Sequence, residues 1–202
     1  DFSVSDTNDR NGTDSYDHAI GANSGGASKF DGEMYDWRVT NTAVYTDEFT
    51  PPTEPLTAIS GTLLHVCRGP RVADYSSNAY VLEPQSNGPM QVPHSPYDRT
   101  KSYSPSLHGG SATFPGTSDE IKTSDGSSNQ VVLGSGDFTV EFWIYKNTAV
   151  NTTWEALISQ AYGVTGGWRC YKNDGTGQLR WYAGSTDTLT SSSTNPLIEK
   201  GW

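Results

Sequence analysis

The sequence predicts an all-β, antiparallel sandwich, and three observations carry that reading. Glycine (21 residues), proline (11), serine, threonine and asparagine are abundant while strong helix formers are scarce, as many short strands joined by turns require. Six Trp, 11 Tyr and 6 Phe supply bulk that a disordered acidic chain would lack. Residues 136–146, GDFTVEFWIYK, alternate strictly, with Phe138, Val140, Phe142 and Ile144 on one face and Thr139, Glu141, Trp143 and Tyr145 on the other. The first face is uniformly apolar and is expected to point into the sandwich.

The remaining elements follow in chain order. Residues 1–29 are polar and rich in turn signals such as Asn11-Gly12 and Gly25-Gly26, with His18–Gly21 a short strand candidate. Asp31-Gly32 reads as a turn, and Glu33–Thr40 as a strand whose apolar side is Tyr35, Trp37 and Val39. The stretch 49–57 carries Pro51, Pro52 and Pro55 and reads as an extended boundary segment. Gly61–Arg68 is a continuous run suited to a strand buried on both faces. Proline then recurs at 70, 84, 89, 93, 96 and 105, with Pro115 just beyond, so loops and short edge segments are expected, including Tyr80–Leu82 and Ser111–Phe114. Further strands are expected at Glu155–Gln160, Gly167–Tyr171 and Gln178–Tyr182, the last two as a hairpin around Asp174-Gly175.

Charge and cysteine content narrow the function classes. The net charge of −10 disfavours nucleic acid, whose phosphates need Lys and Arg stripes that are absent. No run approaches the roughly 20 apolar residues of a membrane span, and no signal peptide is visible. Because the chain opens on Asp1, the reading at this stage is that an upstream part is missing or was processed away. Cys67 and Cys170 could form one disulfide or remain buried thiols.

Tests for chemistry point away from catalysis. Glycoside hydrolysis needs two carboxylates about 5–9 Å apart across one cleft. By strand alternation Glu33 and Asp36 should face opposite ways, Glu141 has no acidic neighbour at 139 or 143, and Asp119-Glu120 diverge. No Gly-x-Ser-x-Gly elbow and no phosphate loop occurs. The acidic loop holding Asp6, Asn8, Asp9, Asn11 and Asp14 offers hard oxygen ligands for calcium, though its glycine is misplaced for an EF-hand and a solvated Asx-turn loop is the plainer reading. Trp143, Tyr145, Trp168 and Trp181 are the candidate sugar-stacking residues, with core packing as the plainer alternative. Asn11 and Asn151 sit in glycosylation sequons.

The segment FDGEMYDWRVTNTAVYTDEFTPPTEPLT (30–57) resembles the closing strand and exit of a laminin G-like domain, a jelly-roll β-sandwich of the concanavalin A-like class. TLLHVC, Asp74-Tyr75-Ser76, Ser95-Pro96-Tyr97, SATF (111–114) and GDFTVEFWIY are similar to the opening half of another. The resemblance implies that 1–56 supply closing strands plus a Pro-rich exit, and that 57–202 supply the opening part of a unit, the two together possible as one combined sandwich. It further implies a non-enzymatic structural or adhesive subunit, extracellular or on a virion surface, in a phage virion, tail fibre or surface filament. Its partners would be copies of itself or other subunits, and surface glycans. Calcium at a loop rim is also implied. The alternative is a carbohydrate-binding, lectin-like module of a secreted protein.

Overall fold

A computed structural model describes residues 18–85, 88–97, 109–117, 119–123, 131–147, 153–160, 167–183 and 186–191. Twelve strands and no helix lie among them: β1 (His18–Ile20), β2 (Asp31–Thr40), β3 (Thr62–Val66), β4 (Leu82–Gln85), β5 (Met90–Val92), β6 (Ser111–Pro115), β7 (Glu120–Thr123), β8 (Thr139–Lys146), β9 (Glu155–Gln160), β10 (Trp168–Lys172), β11 (Leu179–Ala183) and β12 (Thr186–Thr190). The larger sheet has the order β12-β11-β10-β9-β1-β7-β4. In the smaller one β2 is central, with β8 along one edge, β3 and β6 sharing the other, and β5 beyond β6. Every pairing is antiparallel. Strands from before the Pro-rich stretch enter both sheets, β1 between β7 and β9, β2 among β3, β6 and β8.

One apolar core joins the two sheets. Met34, Trp37, Val39, Leu64, Val66, Phe114 and Ile144 of the smaller sheet share it with Ile20, Ile121, Leu157, Ile158, Trp168 and Trp181 of the larger. Trp37 stacks on Phe142 with ring centroids 3.9 Å apart, and Trp168 on Trp181 at 5.1 Å. As expected, Phe138, Val140, Phe142 and Ile144 face this core, although only Ile144 is buried and the other three are half-buried. Burial of such rings is the main stabilising term, since each removes a large apolar area from water.

Strand β2 departs from the expected alternation. Asp31 and Gly32 belong to the strand instead of forming a turn before it. Gly32 is required there, because a Cβ would run into the Tyr145 carbonyl and the Phe30 ring. Met34 points inward and Tyr35 outward, so Tyr35 does not share a face with Trp37 and Val39. The cause is a β-bulge between Tyr35 and Arg38, at which Asp36 takes φ of 55°. The extra residue resets the parity, and Asp36 then faces outward beside Tyr35.

Proline-bearing β4 is an edge strand, as a residue lacking an N–H requires. The short strands β5, β7 and β12 were not anticipated by pattern. Both cysteines are buried free thiols, and desolvation pushes Cys170 up to about 12 and Cys67 higher still. A buried cation cluster ties the sheets at one end: Lys146 of β8 contacts both Glu155 oxygens of β9 at 2.7 and 2.5 Å, and Lys172 of β10 lies 3.2 Å from Glu155 Oε1. Burial lowers the Lys146 ammonium's pKa against the opposing pull of Glu155. His18 is likewise buried, its Nε2 donating to the Val131 carbonyl at 3.2 Å, and desolvation holds its pKa down at about 4.

Candidate functional site

The site begins at a split in the smaller sheet. Along one edge of β2, β6 pairs with Asp31–Met34 and β3 with Trp37–Thr40, and the bulge falls in the gap between them. There the Asp36 N–H donates to the Cys67 carbonyl at 2.8 Å, and the Gly110 N–H donates to Arg68. Gly109, at φ of 63°, lies so close to the Arg68 carbonyl that no side chain fits. The bulge thereby turns one carboxylate onto the outer face of the sheet.

Asp36 is fully buried and accepts from three directions. His65 Nε2 lies 2.7 Å from Oδ1, while Oδ2 receives the Leu56 N–H at 2.5 Å and the Tyr97 hydroxyl at 3.3 Å. Three donors offset the desolvation of the charge. Trp143 Nε1 donates to the Tyr97 oxygen at 3.1 Å, and Tyr97 meets Tyr35 edge-on with centroids 5.3 Å apart. Burial, then the Asp36 charge, drives the Tyr97 phenol well above its ordinary pKa. His65 is fully buried and its Nδ1 has no hydrogen-bond partner among the described residues.

Two further carboxylates occupy the same face. Glu33 Oε2 is bound by His94 Nδ1 and, at 3.1 Å, by the Ser111 hydroxyl. Tyr145, across from Glu33 on β8, takes the His94 ring edge-on at 5.2 Å. Glu141 Oε1 receives Arg38 Nε at 2.7 Å and Nη2 at 2.5 Å, and Arg38 Nη1 donates to the Thr57 carbonyl. The Tyr45 hydroxyl donates to Glu141 Oε2 at 2.7 Å, and desolvation followed by that carboxylate raises Tyr45 to about 12. Residues 45–57 and 94–97 are therefore fastened over the sheet by its own acidic side chains.

This arrangement corrects the expected geometry of Glu33 and Asp36, which lie on one face because the bulge breaks alternation. Trp143 and Tyr145 are brought together there, both half-buried. Trp168 and Trp181 lie in the core, with ring faces occupied by each other and, for Trp181, by Phe138 at 5.1 Å. They present no stacking face to solvent. Asp6, Asn8, Asp9, Asn11 and Asp14 lie outside the described residues, as does Asn151. Among the described residues no group of three or more His, Cys, Asp or Glu is placed to hold a metal ion. No described helix is long and apolar enough to cross a membrane. Pattern reading set Glu33 and Asp36 on opposite faces and gave no site role to His65, His94 or Tyr97; the local cue, a positive φ at a non-glycine residue, is not visible in a sequence.

No protein-family model, curated protein or solved structure matches this chain.

Proposed function

We propose that the chain is a non-catalytic, jelly-roll module of the laminin G-like class, serving as a structural and adhesive unit of an extracellular assembly such as a virion surface, tail fibre or surface filament. The observation that carries this reading is the edge of β8. Among the described residues no strand pairs with the side of β8 away from β2. Its inward row, Phe138, Val140 and Phe142, is only half-buried. A strand at the sheet edge among the described residues, above a half-buried apolar row, favours extension of the sheet by a strand from another copy or subunit. The non-catalytic part is supported by the carboxylates themselves. Asp36 and Glu141 spend their lone pairs holding His65, Leu56, Tyr97, Arg38 and Tyr45, which leaves neither poised for proton transfer.

The test is the assembly state of the full chain, by light scattering and negative-stain imaging over a concentration series. Oligomers or filaments are expected, and Val140→Lys should abolish them while far-ultraviolet circular dichroism stays that of the parent. A monodisperse monomer at every concentration would remove the reading.

A second reading, a lectin-like module, is favoured by one observation. Trp143 and Tyr145 share a face with Glu33, whose Oε1 makes no hydrogen bond to a described residue. A ring and a carboxylate oxygen side by side suit a sugar's apolar face and its hydroxyls. Titration with neutral oligosaccharides against Trp143 fluorescence, with Glu33→Gln as the variant, separates it from the structural reading.

A further inference from the structure

The inward row of β8 does not end on an apolar residue. Phe138, Val140, Phe142 and Ile144 are followed at the same parity by Lys146, so a lysine is carried between the sheets. It meets Glu155 of β9, which stands directly opposite Lys172 in the β9–β10 ladder. All three side chains are buried, that of Glu155 completely. Lys146 Nζ lies 2.7 Å from Glu155 Oε1 and 2.5 Å from Oε2, with the Phe30 ring centroid 5.4 Å away. Lys172 Nζ lies 3.2 Å from Oε1 and donates to the Thr153 carbonyl at 3.2 Å. Two ammonium groups therefore share one carboxylate in the interior, where a charge is costly unless fully compensated. Desolvation, the largest influence on Lys146, favours its neutral amine.

We propose that Lys146 and Glu155 condense to an amide, a covalent cross-link between β8 of the smaller sheet and β9 of the larger. A nitrogen that close to both carboxylate oxygens is within about 3 Å of the carbon they share, a near-attack separation already set by the fold. Lys146 first passes a proton to Oε2, giving an amine beside a carboxylic acid. The Nζ lone pair then attacks Cδ, and Oε1 carries the negative charge of the tetrahedral intermediate, facing the Lys172 ammonium. A second proton moves from Nζ to the Oε2 hydroxyl, the Cδ–Oε2 bond breaks, and one water leaves. The ammonium and the carboxylate have become a neutral amide, with Oε1 as its carbonyl oxygen beside Lys172. No oxidant or cofactor is consumed. Condensation removes a pair of opposite charges from the interior, and exclusion of water slows the reverse hydrolysis. The link does not depend on the open edge of β8 or on assembly.

The experiment is mass spectrometry of the full chain, first intact in denaturant and then digested. The intact mass should fall about 18 Da below that of the sequence, one water, and fragmentation should show a branched peptide joining Lys146 to Glu155. Both signs should disappear in Lys146→Arg, which keeps the charge and cannot form the amide, with its fold checked by far-ultraviolet circular dichroism. The branch is read on the wild-type chain itself, so a variant that fails to fold leaves the test standing. A folded wild-type chain of unaltered mass, with both peptides linear, overturns the proposal. So does a water loss that persists in Lys146→Arg, as an aspartyl succinimide at Asp31-Gly32 or Asp174-Gly175 would.

Discussion

On the smaller sheet the outer face carries Glu33, Asp36 and Glu141, each gripped by donors from segments that lie over it. On the larger sheet it carries Arg169 and Arg180, set among aromatic rings on a two-stranded hairpin. The difference teaches what a surface charge is used for. A carboxylate can accept from several directions at once, so it can pin strand, loop and side chain together. A guanidinium stacked on rings contributes less to the fold than a buried ion pair does. The first face is held by carboxylate hydrogen bonds, the second by ring contacts.

The comparison is tested most severely at the bulge. Asp36→Ala leaves the Leu56 N–H, His65 Nε2 and the Tyr97 hydroxyl buried without their acceptor, at about 1–3 kcal/mol each, so a loss of about 4 kcal/mol or more is expected in urea unfolding. Asp36→Asn retains the left-handed backbone preference and one acceptor oxygen and should cost clearly less. Equal effects for the two would mean that the full carboxylate, not the turn preference that Asn retains, is what Asp36 supplies.

The next effect belongs to the larger sheet's interior and is read by pH. His18 has its pKa lowered from 6.5 to about 4 in the folded chain, so the unfolded chain binds the proton more tightly. Its neutral form supports folding fully above about pH 6.5, and that support is lost as pH falls through the window down to about 4. The loss amounts to about 3 kcal/mol. His18→Gln should flatten the stability profile across that window; a profile unchanged by the substitution would dissociate acid sensitivity from β1.

Smaller effects separate the two faces directly. Arg38→Met removes the partner of a nearly buried carboxylate and the donor to Thr57, and about 2 kcal/mol is expected, with faster proteolysis within 41–57. Arg169→Met on the opposite face should cost about 1 kcal/mol or less through the ring contacts it loses at a half-buried position. A larger loss at Arg169 than at Arg38 would reverse the assignment of roles.

Much of the architecture was legible where a local period existed. Residues 155–160 form β9 as the pattern of apolar residues between turn signals suggested, and 136–146 contain β8 with the expected inward face. The β10–β11 hairpin was legible too, its turn closed by Asn173–Gly177 hydrogen bonds. Once that register is known, the alternating WRCYK and LRWYA put Arg169, Tyr171, Arg180 and Tyr182 on one face directly. The smaller sheet's outer face was not legible, because it depends on a single inserted residue and on partners far away in the chain. Tyr97 reaches Asp36 across 61 positions, and Glu141 reaches Arg38 across 103. Neither spacing leaves a periodic trace. Segments β5, β7 and β12 are too short to show a period of their own and are stabilised by the strand beside them.

Strand β1 has only three residues, yet it closes the larger sheet between β7 and β9, pairing Ile20 with Ile121 and with Ile158. Both of its neighbours lie far downstream in the chain. One edge of β1 waits for residue 122 and the other for residue 160, and β2 waits for β8 in the same way. Such non-local closure places this protein among slow folders whose rate is set by loop entropy, and its early strands depend on protection during synthesis.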